Sequence, residues 1–193
     1  MEVLARAVDQ ANVLFENQPE VKAAIQNLIG TTYRDLSRYD EAERLIRSAL
    51  EIRQRTLGDA HSDVAASLND LAWLLVDKGD YEAAEPLYRK SLAMRLSLLG
   101  DSHPDVAYTM NNLAVLLGIK GDCAAAEPLL REVLAMRRNL PGYSQADVAE
   151  SLNNLANLRS RKGDYAAAER RSVRRSRSGA RNWATSMHLW PWA

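Results

Sequence analysis

The sequence predicts an all-α solenoid of antiparallel helix hairpins, and three observations carry that expectation. A 42-residue unit recurs: His61-Ser62-Asp63-Val64-Ala65 returns as His103-Pro104-Asp105-Val106-Ala107 and, shortened, as Asp147-Val148-Ala149. Gly79-Asp80-Tyr81 likewise returns as Gly121-Asp122-Cys123 and Gly163-Asp164-Tyr165. The chain is rich in Ala and Leu, with nine Gly and six Pro, a composition that suits helices. A fixed period of this size marks supersecondary units that bury their apolar faces only by stacking on one another. Such arrays build surfaces for partners more often than they build active sites.

Each element follows from local chemistry. Residues 1–18 place Leu4, Val8, Ala11 and Phe15 on one helical face, which predicts a capping helix. Four repeats follow, over 19–60, 61–102, 103–145 and a truncated 146–169. In the second, Asp63 stands at the N-cap position before Val64, Leu68, Leu71, Ala72 and Leu75, which share one helical face. Gly79 suits the left-handed residue past the end of that helix. Asp80 caps a second helix with Ala83, Ala84, Leu87, Tyr88, Leu92 and Met94, closed by Leu98-Leu99-Gly100. Pro86 removes one backbone hydrogen bond in its second turn and is expected to bend its start. Ala72, Ala84, Ala114 and Ala126 recur where helices cross closely, and Leu71 and Leu113 are expected core residues.

The pattern Leu71-Ala72-x-x-Leu75, Ala84, Tyr88 resembles the tetratricopeptide repeat. The 42-residue period, with His-Pro-Asp-Val-Ala, Leu-Asn-Asn-Leu-Ala and Ala-Glu-Pro-Leu, is similar to its kinesin-light-chain subtype. The first repeat departs toward the general consensus, with Ile29-Gly30-Thr31-Thr32-Tyr33 and Tyr39-Asp40-Glu41-Ala42. The resemblance spans roughly 19–169. It implies a right-handed superhelix whose first helices line a concave groove, and a non-catalytic protein-interaction module binding an extended peptide or helix. Such arrays also occur in cargo adaptors, in bacterial signalling ATPases and behind bacterial serine/threonine kinase domains. The opening segment looks most like the last setting. The alternative reading is therefore a regulatory fragment of such a kinase or ATPase without its catalytic domain, and a third is a self-associating scaffold.

Residues that could carry chemistry read as structural. His61 and His103 occupy equivalent positions between repeats, with no second ligand at metal spacing, so they are expected to start helices. Cys123 replaces a tyrosine of the sister repeats and reads as a half-buried packing residue. Glu85, Glu127 and Glu169 recur at one helix position, which predicts a repeated structural pairing rather than a catalytic dyad. The chain has no phosphate-binding glycine loop, nucleophile elbow or zinc motif, so no enzyme activity, cofactor or metal is expected.

The binding candidates lie on the first helix of each unit. Asn27, Asn69, Asn111, Asn112, Asn153, Asn154 and Asn157 recur there, and an exposed amide can both donate to and accept from a peptide backbone. Of the adjacent pairs, one asparagine is expected to serve the stack and the other to face the groove. Trp73, Tyr108, Val115 and Ile119 fall on the same side and suit anchors. Arg34 and Arg161 are its few cations, too few for a carboxylate clamp.

Charge divides the chain. Of the 25 basic residues, six are arginines of 170–193, a segment without acids, so 1–169 carries −6 against +6 in the tail. The mildly acidic repeats predict no nucleic-acid partner. The absence of a long apolar run predicts no membrane partner. A single cysteine and the lack of a signal-like start predict a cytoplasmic protein. The tail breaks the repeat: after Glu169 come Arg170-Arg171-Ser172-Val173 and three Trp, at 183, 190 and 192. Codons for 182–192, with G or C at the free third positions and read two nucleotides out of frame, would give Leu-Gly-Asp-x-His-Ala-Pro-Val-Ala, close to Leu99–Ala107. Residues 170–193 therefore read as the frameshifted end of a longer array. The helix over 147–161 would then expose Leu152, Leu155 and Leu158 and offer an unfinished end for self-association.

Overall fold

The computed structural model describes residues 2–163, and every regular element among them is a helix. The order is α1 (Glu2–Leu14), α2 (Pro19–Asp35), α3 (Tyr39–Leu57), α4 (Ser62–Lys78), α5 (Tyr81–Leu99), α6 (Pro104–Lys120), α7 (Cys123–Asn139) and α8, which covers 145–163. The frameshift reading of 170–193 and the role expected of Glu169 lie outside the described residues.

The helices pair as hairpins, α2 with α3, α4 with α5 and α6 with α7, and successive hairpins stack. Leu71 and Leu113 are buried between the helices of their hairpins. Ala72, Ala84, Ala114 and Ala126 have no exposed surface, which lets the backbones approach closely. In the first hairpin Gly30 takes the place of Ala72, and a Cβ there would sit 2.7 Å from Ile46 Cγ1. The array is an all-α solenoid. It also bends in a definite direction. The backbones of α2 and α4, and of α4 and α6, approach each other closely, whereas those of α3, α5 and α7 do not, so α2, α4 and α6 form the inner side.

One helix start differs from the sequence reading. The N-cap of α4 is His61, not Asp63: its Nδ1 accepts the Asp63 N–H at 3.1 Å. His103 does the same for Asp105 at α6. A neutral imidazole nitrogen is an acceptor and can do the work usually given to Ser or Asp. At α8 the histidine is replaced by Ser144, whose N–H and hydroxyl both donate to Asp147 Oδ2 at 2.7 Å, with the Asp147 N–H returning to Ser144 Oγ. Asp80 and Asp122 cap α5 and α7 through the N–H groups of Ala83 and Ala125. Gly79 and Gly121 are left-handed, as the end of a helix requires. Cys123 is buried, not half-buried. Leu155 and Leu158 are core residues too, so only Leu152 of that trio is exposed.

Two ladders with the period of the sequence join the repeats. On the surface, Lys78 Nζ reaches Glu43 at 2.7 Å, Lys120 reaches Glu85 at 2.6 Å, and Lys162 reaches Glu127 at 3.2 Å. Each glutamate also pairs with an arginine one turn on, Arg47, Arg89 or Arg131. Inside, Arg53, Arg95 and Arg137 donate across the junction to the carbonyls of Asp63, Asp105 and Asp147 and to the hydroxyls of Ser67, Thr109 and Ser151. Arg95 and Arg137 are buried, and this second ladder was not foreseen from the sequence.

Candidate functional site

The inner helices bring residues of three successive repeats together. Arg34, near the end of α2, lays its guanidinium 4.0 Å from the centroid of the Trp73 ring on α4. Trp73 in turn meets Tyr108 of α6, with ring centroids 6.2 Å apart and the planes tilted by 60°. Arg34 is held by Asp35 at 2.7 Å and Asp77 at 3.7 Å. Burial pushes the Asp77 carboxyl above its usual range, with Arg34 pulling it down and Asp35 adding to the rise. Burial also raises the phenols of Tyr88, packed beneath, and of Tyr108, the latter opposed by its hydrogen bond with Asn112. A guanidinium stacked on indole inside an ion-pair network has a fixed place. The three side chains form a shelf.

Beyond the shelf the face drops into a notch between α6 and α8, with a cavity of about 100 Å³. Val115, Gly118, Ile119, Asn154, Asn157 and Arg161 line it, with Leu130 and Leu158 at its floor. Val115 stands one period after Trp73, and Asn157 one after Val115, so the side chain at this position shrinks along the array. Gly118 stands where α4 has Val76, and it brings Leu158 close: a Cβ there would lie 2.9 Å from Leu158 Cδ1.

The asparagines occupy a different place from the one expected. Asn27 donates to Asp70 at 2.8 Å, Asn112 to Asn69 at 3.3 Å, and Asn154 to Asn111 at 2.9 Å. Each bond joins residues 43 positions apart, one repeat plus one residue. Each therefore spans from an inner helix to the next. Asn69 and Asn111 are only 1% and 4% exposed, so they cannot present amides to a ligand. The pair Asn111–Asn112 does not divide into a structural and a free member, whereas in Asn153–Asn154 only Asn154 bonds to the preceding inner helix. Asn111 serves the junction toward the C-terminus and Asn112 the junction toward the N-terminus. Asn153 and Asn157 are exposed.

The sequence reading missed Asp70 and Asp77. Asp70 had a signal, since it occupies the 42-residue register position of Asn112 and Asn154. Asp77 stands one period after Asp35, but only folding brings it to Arg34. Among the described residues, no group of His, Cys, Asp and Glu could hold a metal ion, and no helix is long and apolar enough to cross a membrane.

Comparison with known proteins places these features. The family model described as "Tetratricopeptide repeat" matches residues 21–97, 77–139 and 105–174. No curated protein sequence matches. Among solved structures, the chain is similar to BtubC (BKLC) from P. vanneervenii, at 26% identity and a TM-score of 0.73, covering 100% of this chain and 74% of that one. It is also similar to two structures of the nearly identical TPR-like repeats of a kinesin light chain from P. anserina. One has 22% identity, a TM-score of 0.64 and coverage of 86% of this chain and 82% of that one. The other, of a form with a single substitution, has 24% identity, a TM-score of 0.69 and coverage of 94% and 86%. At these identities the likeness speaks for the fold. Together with the repeated hairpins, the family match over most of the chain shows that this protein belongs to the tetratricopeptide repeat family, whose arrays are protein-interaction modules.

Proposed function

We propose that the inner face binds an extended peptide or a partner helix, with Trp73, Tyr108 and Val115 as anchors and the α6–α8 notch as the seat for one apolar side chain. The observation that supports this is the shelf of Arg34, Trp73 and Tyr108 leading into a partly apolar cavity on the inner side of the bend. Aromatic and arginine side chains dominate binding energy at interfaces, where they fill well-packed and fully desolvated pockets. The exposed amide of Asn157 and the cation Arg161 line the notch and are available to a peptide backbone. Asn69 and Asn111 take no part in this reading, and Asn27, Asn112 and Asn154 contribute by holding the inner helices in register.

A displayed library of random peptides, selected on the full chain, tests the proposal. Enriched peptides should lose at least tenfold in affinity on Trp73→Ala and on Val115→Arg, and keep it on the outer-surface variant Arg89→Ala. Peptides that bind all of these variants equally, with circular dichroism showing each folded, would overturn it.

A further inference from the structure

One register position near the ends of the inner helices holds Asp35, Asp77, Ile119 and Arg161 in turn. Ile119 and Arg161 line the notch, so this row lies on the inner face. Asp35 is the last residue of α2, and Asp77 the last but one of α4. The C-terminal end of a helix is the negative end of its dipole, which favours a cation and opposes a carboxylate. Two repeats thus place an acid where the fourth has an arginine. Both carboxylates draw on one guanidinium, that of Arg34, Asp35 at 2.7 Å and Asp77 at 3.7 Å. The Arg34 side chain is 10% exposed and already covers Trp73, whereas that of Asp35 is 67% exposed.

A third carboxylate joins them. Asp70 and Asp77 stand one turn before and one turn after Trp73, on the same face of α4. Asp70 accepts from Asn27 at 2.8 Å, and the buried Oδ1 of that asparagine finds no donor among the described residues. Asp77 also lines an open hollow of about 310 Å³ between the α2–α3 turn and the end of α4, together with Asp40 and Glu41. The cations of this hollow are engaged: Arg38 bonds Glu41, and Lys78 bonds Asp40 and Glu43. This corner of the inner face is therefore negative, with Asp35, Asp70 and Asp77 set against Arg34.

We infer that the segment bound by the inner face carries a basic side chain, lysine or arginine, which seats at Asp35 and Asp77 beside the Trp73 shelf. The inference rests on the groove reading above and names the chemistry of its occupant. A partner's cation supplies at these two helix ends the charge that Arg161 supplies at the fourth. Tyr108, exposed at the shelf, adds a ring that attracts cations. Complementary charge across an interface fixes register and excludes wrong partners. With acids on α2 and α4 and Arg161 on α8, the segment lies with its basic residue toward α2 and its notch residue toward α8.

Peptides selected on the full chain are the probe. Those that lose affinity on Trp73→Ala should carry lysine or arginine at a fixed spacing from their apolar anchor. Changing that residue to glutamine should weaken binding at least tenfold. Asp35→Asn with Asp77→Asn, shown folded by circular dichroism, should weaken the basic peptide by a similar factor, and the glutamine peptide should bind parent and variant alike. Such coupling reports a direct pairing of the two charges. Asp35→Asn alone replaces the double variant if that does not fold. Peptides that need Trp73 but carry no basic residue would overturn this inference and leave the groove reading standing, as would losses that simply add. Peptides that ignore Trp73 would overturn both. Changing the six arginines of 170–193 to serine should leave the affinities as they are. A tenfold rise would make that segment the occupant and sink the inference.

Discussion

Arg95 Nη1 donates to the Thr109 hydroxyl at 2.6 Å across the junction of two repeats, from a side chain only 5% exposed. The guanidinium is drawn below its usual basicity by burial, with Asp105 the largest opposing influence. Removing one partner of such a pair leaves the other desolvated, while replacing both by apolar groups is nearly neutral. Thr109→Val should therefore cost about 1–3 kcal/mol in urea unfolding. The double variant Arg95→Met/Thr109→Val should recover at least half of that loss.

The Asn111–Asn154 bond makes a second prediction. Asn154→Ala strands the buried Asn111 carbonyl and should cost about 1–3 kcal/mol. Asn153→Ala, one residue away and exposed, should stay within about 0.5 kcal/mol. Thermal melts of the two variants side by side decide the matter.

Ser37 holds φ at 58°, in the left-handed region, at the position where the next repeats carry Gly79 and Gly121. An L-residue there is disfavoured by about 1–2 kcal/mol, and glycine's extra freedom in the unfolded chain offsets part of any relief. Ser37→Gly should stabilise the protein by about 0.5–1 kcal/mol. An unchanged or lower melting temperature would count against this backbone argument.

The surface ladder predicts the response to acid. Hydrogen bonds from Lys78 and Lys120 hold the carboxyls of Glu43 and Glu85 below their ordinary value of 4.5. A carboxyl with a lowered folded pKa contributes stability in full above the unfolded value and loses it as pH falls through the folded one. Asp77, raised by burial, acts in the opposite sense, but as a single group. Melting temperature should drop as pH falls below about 4.5, and Glu43→Gln/Glu85→Gln should flatten that drop.

The repeat, the hairpins and most helix ends were legible in the sequence because they rest on local chemistry. Asp80 and Gly79 act on their own backbone neighbourhood, and Leu71 and Leu113 follow helical periodicity. What the sequence hid was pairing between repeats. Arg53, Arg95 and Arg137 recur with the period, yet arginine reads as a surface residue until Ser67, Thr109 and Ser151 are brought against it. The asparagine pairs show the same limit. Their recurrence was visible, but the one-residue stagger that sends Asn111 forward and Asn112 back is a property of how inner helices stack. Trp73 and Tyr108 could be assigned to the inner face, while the cation over the indole comes from the inner helix of the preceding repeat.

Close approach of the inner helices to one another, and the wider spacing of α3, α5 and α7, give the array a spine on one side. A stack of this kind behaves as a leaf spring. Flexing about the spine works against the packing of each outer helix on the next inner helix and its Arg–hydroxyl bridges, such as Arg95–Thr109, and leaves each hairpin core unchanged. The curvature of the inner face is then a property of the junctions between repeats and not of the hairpins themselves.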